Sequence, residues 1–317
     1  MSTALRAEPE NRTTDSTEAL TRIRNNFVAC RVKFKWFGTS KSLTTWQRTQ
    51  AAESFGADGT AISAAKRLID TQHQSYRALT SVKSQVNKYW RDSSLPYPET
   101  GIRLIRNDVV DDFNSSLLGF KSQLADAVNE LDRHYWDLKE AARTRLGALY
   151  DQSDYPSSLS NEFQISWDFP SVDAPDYLRR LSPVIYRQEC ERVQSQFTKS
   201  VELATQMFQE QLAELVEHLV ERLSTDESGK QKTFRDSTIQ NLNSFFERFK
   251  QLNIGSDEGL SALITQAQSV IRGVQPQQLR NNDSLRQRIA IQMSAVQASL
   301  DGMMVDRPRR NILRKGR

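Results

Sequence analysis

His73, His134 and His218 are the only imidazoles in the 317 residues, and imidazole is the side chain best suited to move a proton or hold a metal near neutral pH. Each falls within a stretch that reads as helix. None sits in a His-Glu-x-x-His frame, the spacing that presents two imidazoles on one helical face. His218 has Glu214, Glu217 and Glu221 at helical distances, the pattern of a solvated acidic face. Cys30 and Cys190 lie far apart and outside any Cys/His cluster, so they predict neither a disulfide framework nor a zinc module. Asp108, Asp111 and Asp112 offer carboxylates for Mg²⁺, yet they open a helix, where the backbone dipole favours negative charge. With 12 glycines and no phosphate-cradling loop, dinucleotide turn or nucleophile elbow, the chain has little material for nucleotide or acyl chemistry. We expect no catalytic residue, no metal and no cofactor, and therefore a protein that is not an enzyme.

Charge points to the C-terminus. The formal net charge is +4, but Arg307, Arg309, Arg310, Arg314, Lys315 and Arg317 supply six positive charges in an eleven-residue run with no acid. Without that run the chain carries 37 basic and 39 acidic residues, a net −2. The alkaline balance belongs to a short basic tail, 305–317, and not to the body. Those six side chains form the first candidate nucleic-acid contact, each phosphate contact adding about one unit to the salt dependence of binding. Arg31, Lys33 and Lys35, alternating along one strand face, are the second.

These residues are positioned by a mainly helical chain. Residues 1–17 are polar and aperiodic, and we expect a disordered leader followed by a short helix from Glu18 to Asn25. Over 27–37, Cys30, Val32, Phe34 and Trp36 alternate with the three cations, the period of a half-buried strand. Helices are expected over 42–55 and 60–90, which with the strand make a small α/β head, 18–105. Pro96, Pro98 and Gly101, followed by Arg103, then read as a rigid extended connector.

From Phe113 to Leu149 apolar residues recur at steps of three and four, which predicts one helix from about Asn107 to Tyr150, reaching roughly 65 Å. A second such stripe runs from Ile185 to Leu223 within 177–224. Locked lengthwise, the two form an antiparallel arm, 106–225, with a strand at Phe163–Phe169 in the loop 151–176 able to pair with 27–37. After a turn at Ser228-Gly229, further helices are expected within 230–304, at Phe234–Leu252, Glu258–Val274 and Pro276–Met304. The fold class is thus mainly α with a small two- or three-stranded antiparallel sheet, drawn out as a helical coiled coil or bundle. No apolar run approaches the roughly 20 residues that span a bilayer, and the first 25 residues lack a secretion-signal core. We expect a cytoplasmic protein with no membrane partner.

Leu95-Pro96-Tyr97-Pro98 with Gly101-Ile102-Arg103, Leu146-Gly147, Tyr155-Pro156, the Phe163 strand, Trp36-Phe37-Gly38 and Lys66-Arg67-Leu68 together resemble an uncharacterised family of bacteriophages and integrative mobile elements. The resemblance covers roughly residues 28–180. It implies a bacterial host cell and genes near recombination functions and MoxR-type AAA ATPases, and it transfers no activity or catalytic residue. Pro96, Pro98, Gly101 and Arg103 are the family-like positions.

Three functional readings follow. The first is a non-enzymatic scaffold or adaptor whose partner is itself, as a homo-oligomer, or another helical protein such as a MoxR-type AAA ATPase. The second is an accessory protein of recombination or replication that binds DNA or RNA through the basic tail. The third, a metal-dependent nuclease, has only scattered carboxylates behind it.

Overall fold

The computed structural model describes residues 19–225 and 231–305. The expected leader, the basic tail from Asp306 on and the Ser228-Gly229 turn lie outside the described residues. What is described is mainly helical, with one four-stranded antiparallel sheet and one two-stranded sheet. The chain divides into two compact units, one made of Ala29–Ser93 and Asn107–Pro170, the other of the remaining described segments. The strands of the four-stranded sheet are β1 (Phe27–Lys35), β4 (Leu95–Pro96), β5 (Arg103–Arg106) and β6 (Gln164–Asp168).

In the first unit β1 pairs antiparallel with β6 (Gln164–Asp168) in a register that sets Arg31 opposite Asp168 and Lys35 opposite Gln164. Alternation behaves as its period predicts: Cys30 and Val32 are buried, Lys33 and Lys35 exposed. A hairpin follows, β2 (Ser40–Ser42) with β3 (Ala65–Arg67), enclosing the helix α2 (Thr45–Glu53) that Thr44 caps. The core is a helix pair. α3 (Gln74–Asp92) turns Tyr76, Leu79, Val82, Val86 and Trp90 inward against Phe113, Leu117, Leu124, Val128 and Leu131 of α4 (Val110–Arg133). After His134 the chain resumes as α5 (Tyr135–Leu146).

Three expectations are corrected here. The helix over 60–90 begins only at Gln74: residues 65–67 are strand, Leu68 N–H donates to Thr39 O, and the Asp70 side chain accepts from Gln72 N–H to turn the chain into the His73 cap. The helix over 107–150 is two helices, because at His134 the backbone tightens to a bond from its N–H to Leu131 O three residues back. The third correction concerns the arm. Within this unit the stripe of α4 is covered by α3, so it does not need the second long stretch as its partner.

The second unit is organised by the other long stretch. Described from 19 to 26, α1 holds Ala19 and Ile23 buried. The expected connector is a β-hairpin instead: β4 (Leu95–Pro96) pairs with β5 (Arg103–Arg106), and Ile102 N–H closes the turn onto Glu99 O. Gly101 sits in that turn at φ +83°, a conformation that costs L side chains dearly. The expected helix over 177–224 breaks at Ser182 into α6 (Asp176–Leu181) and α7 (Pro183–Leu223). Pro183 occupies the first turn and the Ser182 hydroxyl caps Ile185 N–H. Against α7 lie α8 (Asp236–Leu252), through Phe208 on Phe245 and Phe249, and α11 (Asp283–Val305). Two more helices, α9 (Glu258–Ile271) and α10 (Pro276–Asn281), complete the unit, so the expected helix over 276–304 is two.

Arg286 closes the far end of α7. Its guanidinium is buried and donates to the carbonyls of Leu223 at 2.8 Å, Lys232 at 3.1 Å and Leu279 at 3.4 Å, and also to those of Arg222 and Ser224. Helix C-termini leave four carbonyls without intrahelical donors and carry partial negative charge, so one buried cation serves both needs. Arg286→Met is expected to leave those carbonyls orphaned and to cost about 2–4 kcal/mol, read as a shifted urea midpoint by far-UV circular dichroism. Unchanged stability would remove this clamp from the account.

Candidate functional site

The cations on β1 are already engaged by acids. Arg31 donates from Nε to Asp168 Oδ1 at 3.1 Å and from Nη2 to Oδ2 at 2.8 Å, and Lys33 Nζ reaches the same Oδ2 at 3.3 Å. Lys35 Nζ donates to Asn161 O at 2.7 Å and lies 3.7 Å from Glu162. The hydrogen bonds from Arg31, then those from Lys33, hold the Asp168 carboxyl down at about 2. The face is a compensated ion-pair ladder rather than a bare basic strip, and a phosphate would first have to displace Asp168. The other candidate contacts, Arg307, Arg309, Arg310, Arg314, Lys315 and Arg317, lie outside the described residues.

Pro96, Pro98, Gly101 and Arg103 lie in or between the strands of the β4–β5 hairpin. Pro96 pairs with Arg103, whose Nε donates to Ser94 Oγ at 2.7 Å and whose Nη2 donates to Ser94 O at 2.8 Å. Tyr97, between the two prolines, donates its hydroxyl to Gln196 Oε1 at 2.6 Å and packs edge-on against Phe197 of α7. Pro98 and Gly101 shape the loop between the strands. The hairpin is seated on α7 through Tyr97, and Arg103 ties its strand to Ser94.

The histidines divide. His73 Nδ1 lies 2.7 Å from Ser75 Oγ as part of the α3 cap, with its ring centroid 5.3 Å from that of His134, and His134 Nε2 is 3.2 Å from Glu130 Oε1. His218 Nε2 instead accepts from Arg222 Nε at 3.3 Å. Among the described residues no group of three or more His, Cys, Asp and Glu side chains is arranged to hold a metal ion. The Cys30 thiol is pushed up to about 12 by burial and then by Asp168, so it is unreactive at neutral pH.

Sequence reading missed the most buried charge cluster. Asp154, its side chain 1% exposed, lies 2.6 Å from Lys66 Nζ, itself 5% exposed, and also pairs with Lys41. Lys66 donates further to Leu149 O at 2.7 Å. Burial pushes the Asp154 carboxyl up, but the hydrogen bonds of Lys41 and Lys66 outweigh it and hold the group below its ordinary range. Nearby, Tyr155 donates to Leu68 O at 3.0 Å, and burial raises its hydroxyl to about 12. Every group here is held by a neighbour, which describes a pin between the β2–β3 hairpin and residues 149–155 and offers no poised acid or nucleophile. The only sequence signal was the Asp151-Gln-Ser-Asp154 turn; the partners lie 88 residues apart.

Among the described residues, large apolar side chains are exposed at several places, Trp46 and Phe55 about α2, Trp136 on α5 and the α6–α7 corner among them. At the α6–α7 corner Leu181 and Tyr177 are 76% and 63% exposed, with Val184 and Ile185 exposed beside them. Large apolar side chains grouped in this way mark contact surfaces more often than solvent-facing ones. Among the described residues no helix is long and apolar enough to cross a membrane. Family models, curated proteins and solved structures give no match to the chain.

Asp154→Asn is expected to strand Lys66 without its counter-charge and to destabilise the first unit by about 3–5 kcal/mol, whereas Lys66→Met with Asp154→Leu recovers most of the loss. All five tryptophans lie in this unit, so their fluorescence reads it directly. Because both Asp154 and Asp168 are held low, their stabilisation is present above the ordinary carboxylate range and is lost as pH falls through the lowered values, which for Asp168 reach down to about 2. A melting temperature flat across that acid window would contradict both assignments.

Proposed function

We propose that the protein is a non-enzymatic helical scaffold or adaptor that works through protein–protein contacts, in the bacteriophage or mobile-element setting that its resemblance implies. The observation that carries this reading is the apolar corner formed by Tyr177, Leu181, Val184 and Ile185. Helices with an apolar face grip other helical proteins by laying that face into a groove or against a matching face. Two further observations support it. The strand cations Arg31, Lys33 and Lys35 are spent on Asp168 and Glu162, which weakens the nucleic-acid reading wherever it leans on the body of the protein. The buried charges of Asp154 and Lys66 are matched to each other, as structural pins are.

A photo-crosslinking amino acid placed at Gln188, an exposed position on α7, tests the reading in cells that carry the full chain. Adducts are expected to be protein, identified by mass spectrometry as this chain or as a second helical protein such as a MoxR-type ATPase. They should disappear when Ile185→Asp is introduced. Adducts to nucleic acid, or none at all, would overturn it.

A further inference from the structure

We propose that the basic run 307–317 docks on the exposed acidic face of α7 in the same chain, so that its cations are held as an internal ligand and a nucleic acid has to compete for them. The apolar corner of the adaptor reading takes no part in this contact.

Spacing makes the face. Between residues 200 and 221 α7 carries Glu202, Glu210, Glu214, Glu217 and Glu221 and no lysine or arginine. At about 100° per residue these five fall within one arc of about 120°. All five are exposed, and the buried Val201, Phe208, Leu212, Val216 and Leu219 lie on the other side of the helix. Glutamates three and four residues apart, as at 210, 214, 217 and 221, repel one another. Among the described residues Lys232 pairs with Glu221 at 3.3 Å and Gln206 donates to Glu210 at 2.7 Å, while Glu202, Glu214 and Glu217 have no cation. Around the face Arg222 donates to His218, Arg248 to Gln211 and Arg103 to Ser94, and Lys199 stands one turn before Glu202.

The described chain stops beside that face. Arg286, near the start of α11, holds the carbonyls at the end of α7, and α11 packs along α7 from there. From Arg286 to Val305 the helix rises about 29 Å, which returns it to about the level of residue 204. Contacts agree: Met303 lies against Gly259 at the start of α9, beside Asp257, whose carboxylate accepts from Gln209 of α7 at 3.4 Å. Val305 thus ends near Glu202 and Glu210, with Asp257, Glu258 and Asp301 as further acids at the same end. The cations there are Arg22, which donates to Ile254 O at 3.3 Å, and Lys250 near the end of α8.

Length and charge then match. With 306–308 taking the chain round α7, residues 309–317 extended at ~3.3 Å each cover roughly 30 Å. Glu202 to Glu221 span about 28 Å of helix. That segment carries Arg309, Arg310, Arg314, Lys315 and Arg317 and no acid, against five glutamates. Tethering selects this tail over a separate basic partner, because a short linker raises its effective concentration to the order of millimolar.

The test uses the purified full chain with Cys190→Ser, which leaves the buried Cys30 as its one native thiol. Asn311→Cys is combined either with Gln206→Cys on the acidic face or with Ala295→Cys, exposed on α11 about 15 Å from Val305. At about 1 μM protein, far below the effective concentration of a tether, a short bismaleimide should close the 311–206 pair at least tenfold faster than the 311–295 pair. Peptide mass spectrometry should place the link within one chain. Salt at about 1 M, which screens charges beyond about 3 Å, should abolish the preference. Glu210→Lys with Glu214→Lys should abolish it too, and adding Arg309→Glu with Arg310→Glu should restore it, which a loss of folding would not do. Equal closure of the two pairs, a preference indifferent to salt and to charge reversal, or links formed only between chains would overturn the proposal.

Discussion

A 41-residue helix with one continuous apolar face is the constraint on which the second unit depends. At 1.5 Å per residue α7 spans about 60 Å, and nothing as short as α11, with 23 residues, can cover that length alone. Its stripe is therefore closed by several elements in turn. The β4–β5 hairpin meets it near Gln196 and Phe197, α8 places Phe245 and Phe249 on Phe208, and α11 lies against it with its N-terminal Arg286 gripping the carbonyls at the helix's end. Cover of this kind runs out at the start of the helix. The apolar residues there, with those of α6, are exposed.

The first unit solves the same problem differently. α4 is shorter, and α3 supplies a matching stripe close by in sequence, so burial is nearly complete. What holds the periphery is charge: Asp154 pins the β2–β3 hairpin through Lys66 and Lys41, and Asp168 ties two cations across β1 and β6. Both carboxylates act inside the fold. The basic strand face is spent on the chain's own acids, and exposed apolar side chains remain at the α6–α7 corner; these are the two observations from which the adaptor reading is proposed.

Much of this was legible in the sequence and some was not, for identifiable reasons. Period-two alternation marked β1 and β6, and their pairing followed, because one face of each must be buried. The stripes of α4 and α7 were plain, but a stripe tells which face is buried and not what buries it, so the two were matched to each other when α3 and α11 were the actual partners. The Ser182-Pro183 pair was a readable helix start that apolar spacing overrode. In 95–103 the prolines suggested a stiff link, while the spacing of Pro96 and Gly101 also fits a hairpin with a tight turn. Of the candidate site, the three strand cations were visible and their acidic partner Asp168 was not weighed. The pairing of Lys66 with Asp154 depends on chain reversal over 88 residues and leaves no periodic trace.

Hydrogen exchange across α7 tests the central claim most directly, since amide protection follows local cover and opening. Over Val193–Leu223 the amides should be strongly protected, and over 177–192 protection should be weak. Uniform protection along the whole helix would contradict the account, as would free exchange over Val193–Leu223.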